Sequence, residues 1–159
     1  LATDKGENNP NVYKLADVDK IKTMYHDVLE LADLQAYGAA IDNIYINDGV
    51  GFAWIPLDRP AALIAILSDF ILSLNVVDVS IVYAVRKDGI KFSVRCEHKD
   101  VDAGKMVAAV LNNYGSGGGQ QEMAGGFIPK ENIGRMSGMH ARIEEAFMNQ
   151  IQEMKRGSI

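Results

Sequence analysis

Apolar positions along the 159-residue chain change their period several times, and each change marks an element. Residues 1–16 are polar, with Gly6, Asn8, Asn9 and Pro10, and read as a lead-in or linker. From Asp17, a fitting N-cap, Val18, Ile21, Tyr25, Val28 and Ala32 fall on one stripe, which predicts a helix ending around 37–40. Ile44 and Ile46 alternate with Tyr45, and Val50, Phe52 and Trp54 alternate with Gly51 and Ala53. Asn47-Asp48-Gly49 between them supplies the positive-φ residues of a tight hairpin.

Asp58-Arg59-Pro60 opens the next helix, with Asp58 as cap and Pro60 in the first turn, where its missing N–H costs little. Leu63, Ile66, Leu67, Phe70, Ile71 and Leu74 form its stripe. Val77, Val79, Ile81, Tyr83 and Val85 then repeat every second residue. Lys87-Asp88-Gly89 reverses the chain, and Ile90, Phe92, Val94 and Cys96 alternate on the return. A helix over about 101–113 follows, capped by Asp100 or Asp102 and stopped at Gly115. After a glycine-rich loop over 115–126 and a short strand, the last helix starts near Ser137 with Met139, Ile143, Phe147, Ile151 and Met154 inward. This order predicts an α/β, two-layer domain over 17–159, with a mixed sheet built from hairpins and packed helices.

The net charge of −5 argues against a coat for long nucleic acid, whose proteins usually carry a basic field. It leaves room for a short anionic ligand held by a few local cations. The single cysteine, Cys96, forms no internal disulfide, and no apolar run is long enough for a membrane span. Without a signal-peptide pattern either, a cytoplasmic location is expected.

Two stretches carry candidate chemistry. On the strand Lys91-Phe92-Ser93-Val94-Arg95-Cys96, alternation puts Ser93 and Arg95 together, opposite the apolar face that holds Cys96. A hydroxyl beside a guanidinium fork suits a phosphate. The plainer alternative is a solvated face with Arg95 paired to Glu97 or a cross-strand acid. The second stretch runs from Gly115 through Ser116, Gly117, Gly118, Gly119 and Gln120 to Gly126. Consecutive glycines let an anion approach the main chain, or simply make a flexible turn. The sequence is neither a P-loop nor a dinucleotide fingerprint.

Taken in order, Ser93-x-Arg95 on a strand, a short helix, Gly117-Gly118-Gly119-Gln120 and then Ala124-Gly125 resemble the DHHA1 domain of DHH-family phosphoesterases. The resemblance covers roughly residues 20–155 and is to exopolyphosphatase-related and small-RNA phosphatase-like members. It implies that Ser93, Arg95, Gly117, Gly118, Gly119, Gln120, Ala124 and Gly125 bind the phosphate or nucleotide end of a substrate. It also implies that an N-terminal DHH domain, absent from this chain, holds two manganese ions and the catalytic residues. The parent would then be a manganese-dependent hydrolase of nucleotides, short oligonucleotides or polyphosphate, and this chain alone would be inactive. The chain departs from the family pattern at Gln120, where the family has histidine. Gln bonds both ways but carries no charge and relays no proton.

No catalytic residue and no metal ligand set are expected within the chain. His26, His98 and His140 stand in no Asp-His-His or Asp-x-Asp setting, and His98 and His140 read as surface residues. With Leu1 at the start, the expectation is a C-terminal fragment of a longer enzyme. The expected partners are a small phosphorylated or nucleotide substrate and the DHH domain. Related domains in alanyl-tRNA synthetase-like proteins supply the alternative, a non-catalytic nucleic-acid-binding module around Lys87, Lys91, Arg95 and Lys99. Trp54 reads as core or as a base-stacking platform. Phe147 and Ile151 suit packing within the chain or across a homodimer.

Overall fold

The computed structural model describes residues 30–56, 61–133 and 138–157. The lead-in, residues 17–29 of the expected first helix, His26, the cap at Asp58, Pro60 and Ser137 lie outside them. The elements are α1 (Leu31–Asp42), β1 (Tyr45–Asn47), β2 (Val50–Ile55), α2 (Ala61–Leu72), β3 (Val79–Val85) and β4 (Gly89–Cys96), followed by α3 (Ala103–Leu111), β5 (Ser116–Gly119), β6 (Met123–Pro129), α4 (Lys130–Ile133) and α5 (Met139–Gly157). The six strands form one mixed sheet in the order β1-β2-β3-β4-β6-β5. Only β2 and β3 run parallel, from Val50 opposite Val79 to Ile55 opposite Ala84, and α2 makes the crossover between them.

The β1–β2 turn is the one the sequence predicts. Asp48 and Gly49 have φ of 48° and 79°, the twist a two-residue hairpin needs. A side chain at Gly49 would also meet the Asp78 carboxylate at 2.9 Å. At the other end of the sheet the structure departs from expectation. The glycine run is not a loop but the edge strand β5, paired with β6 from Ser116 opposite Phe127 to Gly119 opposite Ala124.

The α/β class and mixed sheet stand as expected, but helices cover both sheet faces where a two-layer domain was expected, because the central strands carry apolar side chains on both sides. From Val79 to Ala84, β3 is buried on both sides, as a central strand between two helical layers must be. Phe52, Ile81, Tyr83 and Phe92 face α3 and α5, where Phe92 and Phe147 rings lie 5.8 Å apart. On the other face, Leu63, Ile64, Leu67, Ser68 and Ile71 make the buried side of α2. This corrects the expected stripe, because Phe70 is 62% exposed and Leu74 is also exposed. A serine displaces the stripe: Ser68 is fully buried because its hydroxyl is bonded to Ser80 and to the Ser93 carbonyl. Helix α1 runs to Asp42, past the expected end at 37–40.

Along α5, Ile143, Phe147 and Ile151 are buried within the chain, so the stripe offered for dimerisation belongs to the core. His140, expected at the surface, is half-buried. Its ring stacks on Trp54 with centroids 4.3 Å apart, and Nδ1 shares a 2.7 Å hydrogen bond with the Tyr83 hydroxyl. Trp54 is thus partly buried, with one face covered by an imidazole. The reason is position: Trp54 and Tyr83 are register partners at the ends of β2 and β3, where the first turn of α5 crosses them. Burial, with the nearby Glu144 carboxylate, raises the Tyr83 pKa and keeps the hydroxyl protonated.

Burial also lowers the His140 pKa below its ordinary value of 6.5. A depressed histidine favours the neutral ring in the folded state. Its contribution is complete above the unfolded value and is lost as the pH falls through the folded one. Glu144 has the opposite sign, since burial raises its pKa and its contribution is lost as the pH rises. His140→Ala orphans the Tyr83 hydroxyl and should cost about 1–3 kcal/mol in urea unfolding near pH 7.5. That advantage of the wild type should shrink toward pH ~5, and a constant difference would contradict the buried neutral imidazole.

Candidate functional site

The second helix and the fourth strand build the site together. Ser93 and Arg95 share the sheet face covered by α2, as strand alternation requires. Ser68 and Asp69, neighbours on α2, reach both of them. The Ser68 hydroxyl donates to the Ser93 carbonyl at 3.3 Å and the Ser80 hydroxyl donates to the Ser68 carbonyl at 2.8 Å. Arg95 Nε donates to Asp69 Oδ1 at 2.8 Å, while Nη1 donates to Ser93 Oγ at 3.2 Å and to the Val94 carbonyl at 3.0 Å. The Arg95 side chain is only 15% exposed, and Nη2 has no partner among the described residues.

Asp69 is therefore the acid that Arg95 finds, rather than Glu97 or a cross-strand residue. Because its side chain is 63% exposed, the pair adds little stability, about 1 kcal/mol at most. Its effect is orientation. With Nε and Nη1 held, the guanidinium is fixed in one attitude and loses little freedom on meeting a ligand. Sequence reasoning missed Asp69, although a signal was there: it is the only charged residue in the twelve of α2.

Beside Arg95 the sheet surface is bare. Ser93 pairs with Gly125, and Gly125 pairs with Gly118, so this row carries no side chain beyond the serine. A Cβ on Gly118 would have nothing within 4 Å, and one on Gly125 would lie 3.3 Å from the Phe92 carbonyl. The next pair of glycines faces the other way. A Cβ on Gly117 would come within 2.5 Å of Val107, and one on Gly126 within 2.3 Å of Leu111. Two glycines thus let α3 sit on the strands, and the two between them leave the opposite surface open.

The helix also holds the β5–β6 turn. Gly104 and Ala103 amides donate to the carbonyls of Gln120 and Gln121, both at 2.9 Å, and the Lys105 amide donates to Asp102 Oδ1 at 2.9 Å. The free amides expected at a helix start are used within the fold. Gly115 is needed for close approach, since a Cβ there would lie 2.0 Å from the Phe127 carbonyl.

Arg95, Gly118, Gly119, Gln120, Ala124 and Gly125 border an open cleft of about 310 Å³, with Met123 at its side. Ser93 is 7% exposed and sits beneath it, bonded to Arg95. Gly117 is turned away, against Val107, and the Ala124 methyl belongs to the core. Cys96 is buried, with Sγ directed at the His98 and Val101 carbonyls, and burial raises its pKa, so it is a packing residue. Among the described residues, no group of three or more His, Cys, Asp or Glu could hold a metal ion. No described helix is long and apolar enough to cross a membrane.

A protein-family model described as the DHHA1 domain matches residues 47–149, and the chain belongs to that family. The fold is similar to that of an exopolyphosphatase-related protein from Bacteroides fragilis, with 18% identity and a TM-score of 0.62. That match covers 96% of this chain and 48% of the other, so the chain spans about half the relative's length. RecJ from Thermus thermophilus, solved in complex with Mg2+, is also similar, with 18% identity and a TM-score of 0.52 over 74% of this chain and 17% of RecJ. No curated protein sequence matches.

The two orientations of glycine separate fold from site. Gly117→Ala drives a methyl into Val107 and should destabilise by about 1–3 kcal/mol in chemical unfolding. Gly118→Ala meets open space and should lie within about 1 kcal/mol of the wild type. Equal losses from the two substitutions would refute the division of roles.

Proposed function

We propose that this chain is the substrate-binding domain of a DHH-family phosphoesterase and that it holds the phosphate-bearing end of a substrate. The observation that carries this reading is the fixed Arg95 guanidinium beside the bare Gly118–Gly125 surface. A phosphate needs a cation with a planar fork and room to come close, and this cleft provides both. Arg95 neutralises charge and Ser93 adds a hydroxyl through the same network. Gly118 and Gly125 leave the floor open, while Gln120 lines the wall with a neutral donor and acceptor.

The family supplies the reaction class, hydrolysis of phosphoester or phosphoanhydride bonds. Bond breaking belongs to an N-terminal DHH domain with two manganese ions, and residues 17–159 act as its substrate-binding partner in the cytoplasm. The acidic net charge favours a short ligand over long nucleic acid.

Two measurements test this reading. Asp-x-Asp and Asp-His-His motifs should be encoded upstream in the parent gene, and their absence would remove the enzyme. Arg95→Ala should weaken binding of a nucleoside bisphosphate by about tenfold or more in a calorimetric titration. Unchanged affinity would show that the anion lies elsewhere.

A further inference from the structure

Helix α2 carries more apolar surface than the sheet covers. Ile66, Phe70 and, just past the helix end, Leu74 are spaced four residues apart along the flank turned to α1. Leu34 and Ile41, seven residues apart, form the matching stripe on α1. Leu34, Ile41 and Phe70 are 58%, 52% and 62% exposed, so neither stripe is used by the core. Between them runs an open groove of about 270 Å³, bordered by Tyr37, Ile41, Ile66, Leu67 and Phe70. A helix that is apolar well beyond its core stripe has the pattern of one covered on both sides.

The charges on these helices narrow the choice of what covers them. Neither α1 nor α2 contains a lysine or an arginine. Of their three acids, Asp33 is buried, Asp69 is held by Arg95, and Asp42 stands at the end of α1. A nucleic acid, a lipid headgroup or a charged peptide therefore meets no counter-charge on this face. The face does match itself. Phe70 stands out into solvent, and the groove beside it is a recess of side-chain size. A two-fold axis over the helices brings the ring of one copy to the groove of the other and the reverse, with no like charges opposed at its centre.

We propose that a second copy of this chain covers the groove between α1 and α2, giving a two-fold dimer centred on Leu34, Ile41 and Phe70. This dimer depends neither on the anion site at Arg95 nor on the α5 stripe, which is core. Helix α2 separates it from the Arg95 cleft, because Asp69 reaches toward Arg95 while Ile66 and Phe70 border the groove. Two helices per copy make an interface at the small end of the stable range, so association is reversible, with a dissociation constant of roughly 10–100 µM.

The test is analytical ultracentrifugation of the 159-residue chain from about 5 to 500 µM, where it should pass from monomer to dimer. In a mixture of isotope-labelled and unlabelled chain, filtered NMR spectra should show contacts between the Phe70 ring of one copy and the Ile41 and Leu34 methyls of the other. Phe70→Glu and Ile41→Glu should each weaken the dimer about tenfold or more. Both side chains are exposed, so the urea midpoint of the dilute monomer should barely move. Tyr114→Glu, at an exposed residue just past α3, should leave the dimer unchanged. If one glutamate variant fails to fold, the other and the filtered contacts decide. A chain that stays monomeric throughout, whether this face is bare or covered by residues 1–29 of the same chain, overturns the inference. So does assembly that grows past the dimer, or a dimer whose filtered contacts fall elsewhere. A dimer that Tyr114→Glu breaks, and that Phe70→Glu and Ile41→Glu leave intact, overturns it as well.

Discussion

The close seating of α3 on the β5–β6 pair is the constraint on which the rest of this end of the molecule depends. A helix approaches two strands this closely only where Cβ atoms are missing from its side, and Gly117 and Gly126, opposite one another, meet that condition. Gly104 meets it from the helix side, since a Cβ there would lie 2.3 Å from the Gly119 carbonyl. Once seated, the first amides of α3 bind the turn carbonyls and fix Gln120 and Gln121. The open floor at Gly118 and Gly125 is presented by the same strands, one residue out of phase. Period-two geometry makes packing and cleft two faces of one glycine pattern.

A second dependence joins the core to Arg95. Helix α2 is almost wholly apolar, yet one of its buried positions is Ser68. The cost of burying a hydroxyl is offset by its bonds to Ser80 and to the Ser93 carbonyl. Those bonds set the height and rotation of α2 over β3 and β4. Asp69, one residue on, thereby falls within reach of Arg95 Nε. A shift of α2 would change the attitude of the guanidinium without touching the strand that carries it.

Much of this is legible in the order of residues alone. The Asp48-Gly49 turn, the alternation along β3 and β4, and the stripe of α5 each follow from local geometry. Ser93 and Arg95 on one face follow from the same alternation. What is not legible depends on partners distant in sequence. A glycine run is compatible with both loop and strand, and only Val107 and Leu111, on α3, decide for strand. The stripe of α2 falls in a different place from the one its apolar residues suggest, because Ser68 looks polar until Ser80 and Ser93 are opposite it. His140 looks solvated in sequence because Trp54 and Tyr83, which enclose it, lie 86 and 57 positions earlier.

Gln120 is held in place by its main chain and not by its side chain. Its carbonyl accepts from the Gly104 amide and its own amide donates to the Met123 carbonyl at 2.8 Å, so the main chain alone fixes its position. The side chain is exposed and takes no part in those bonds. Another side chain at this position would therefore leave those backbone bonds in place and alter only what faces the cleft. Among the described residues bordering the cleft, Arg95 is the charged one. The backbone bonds that hold the β5–β6 turn thus leave the charge of the cleft free to change.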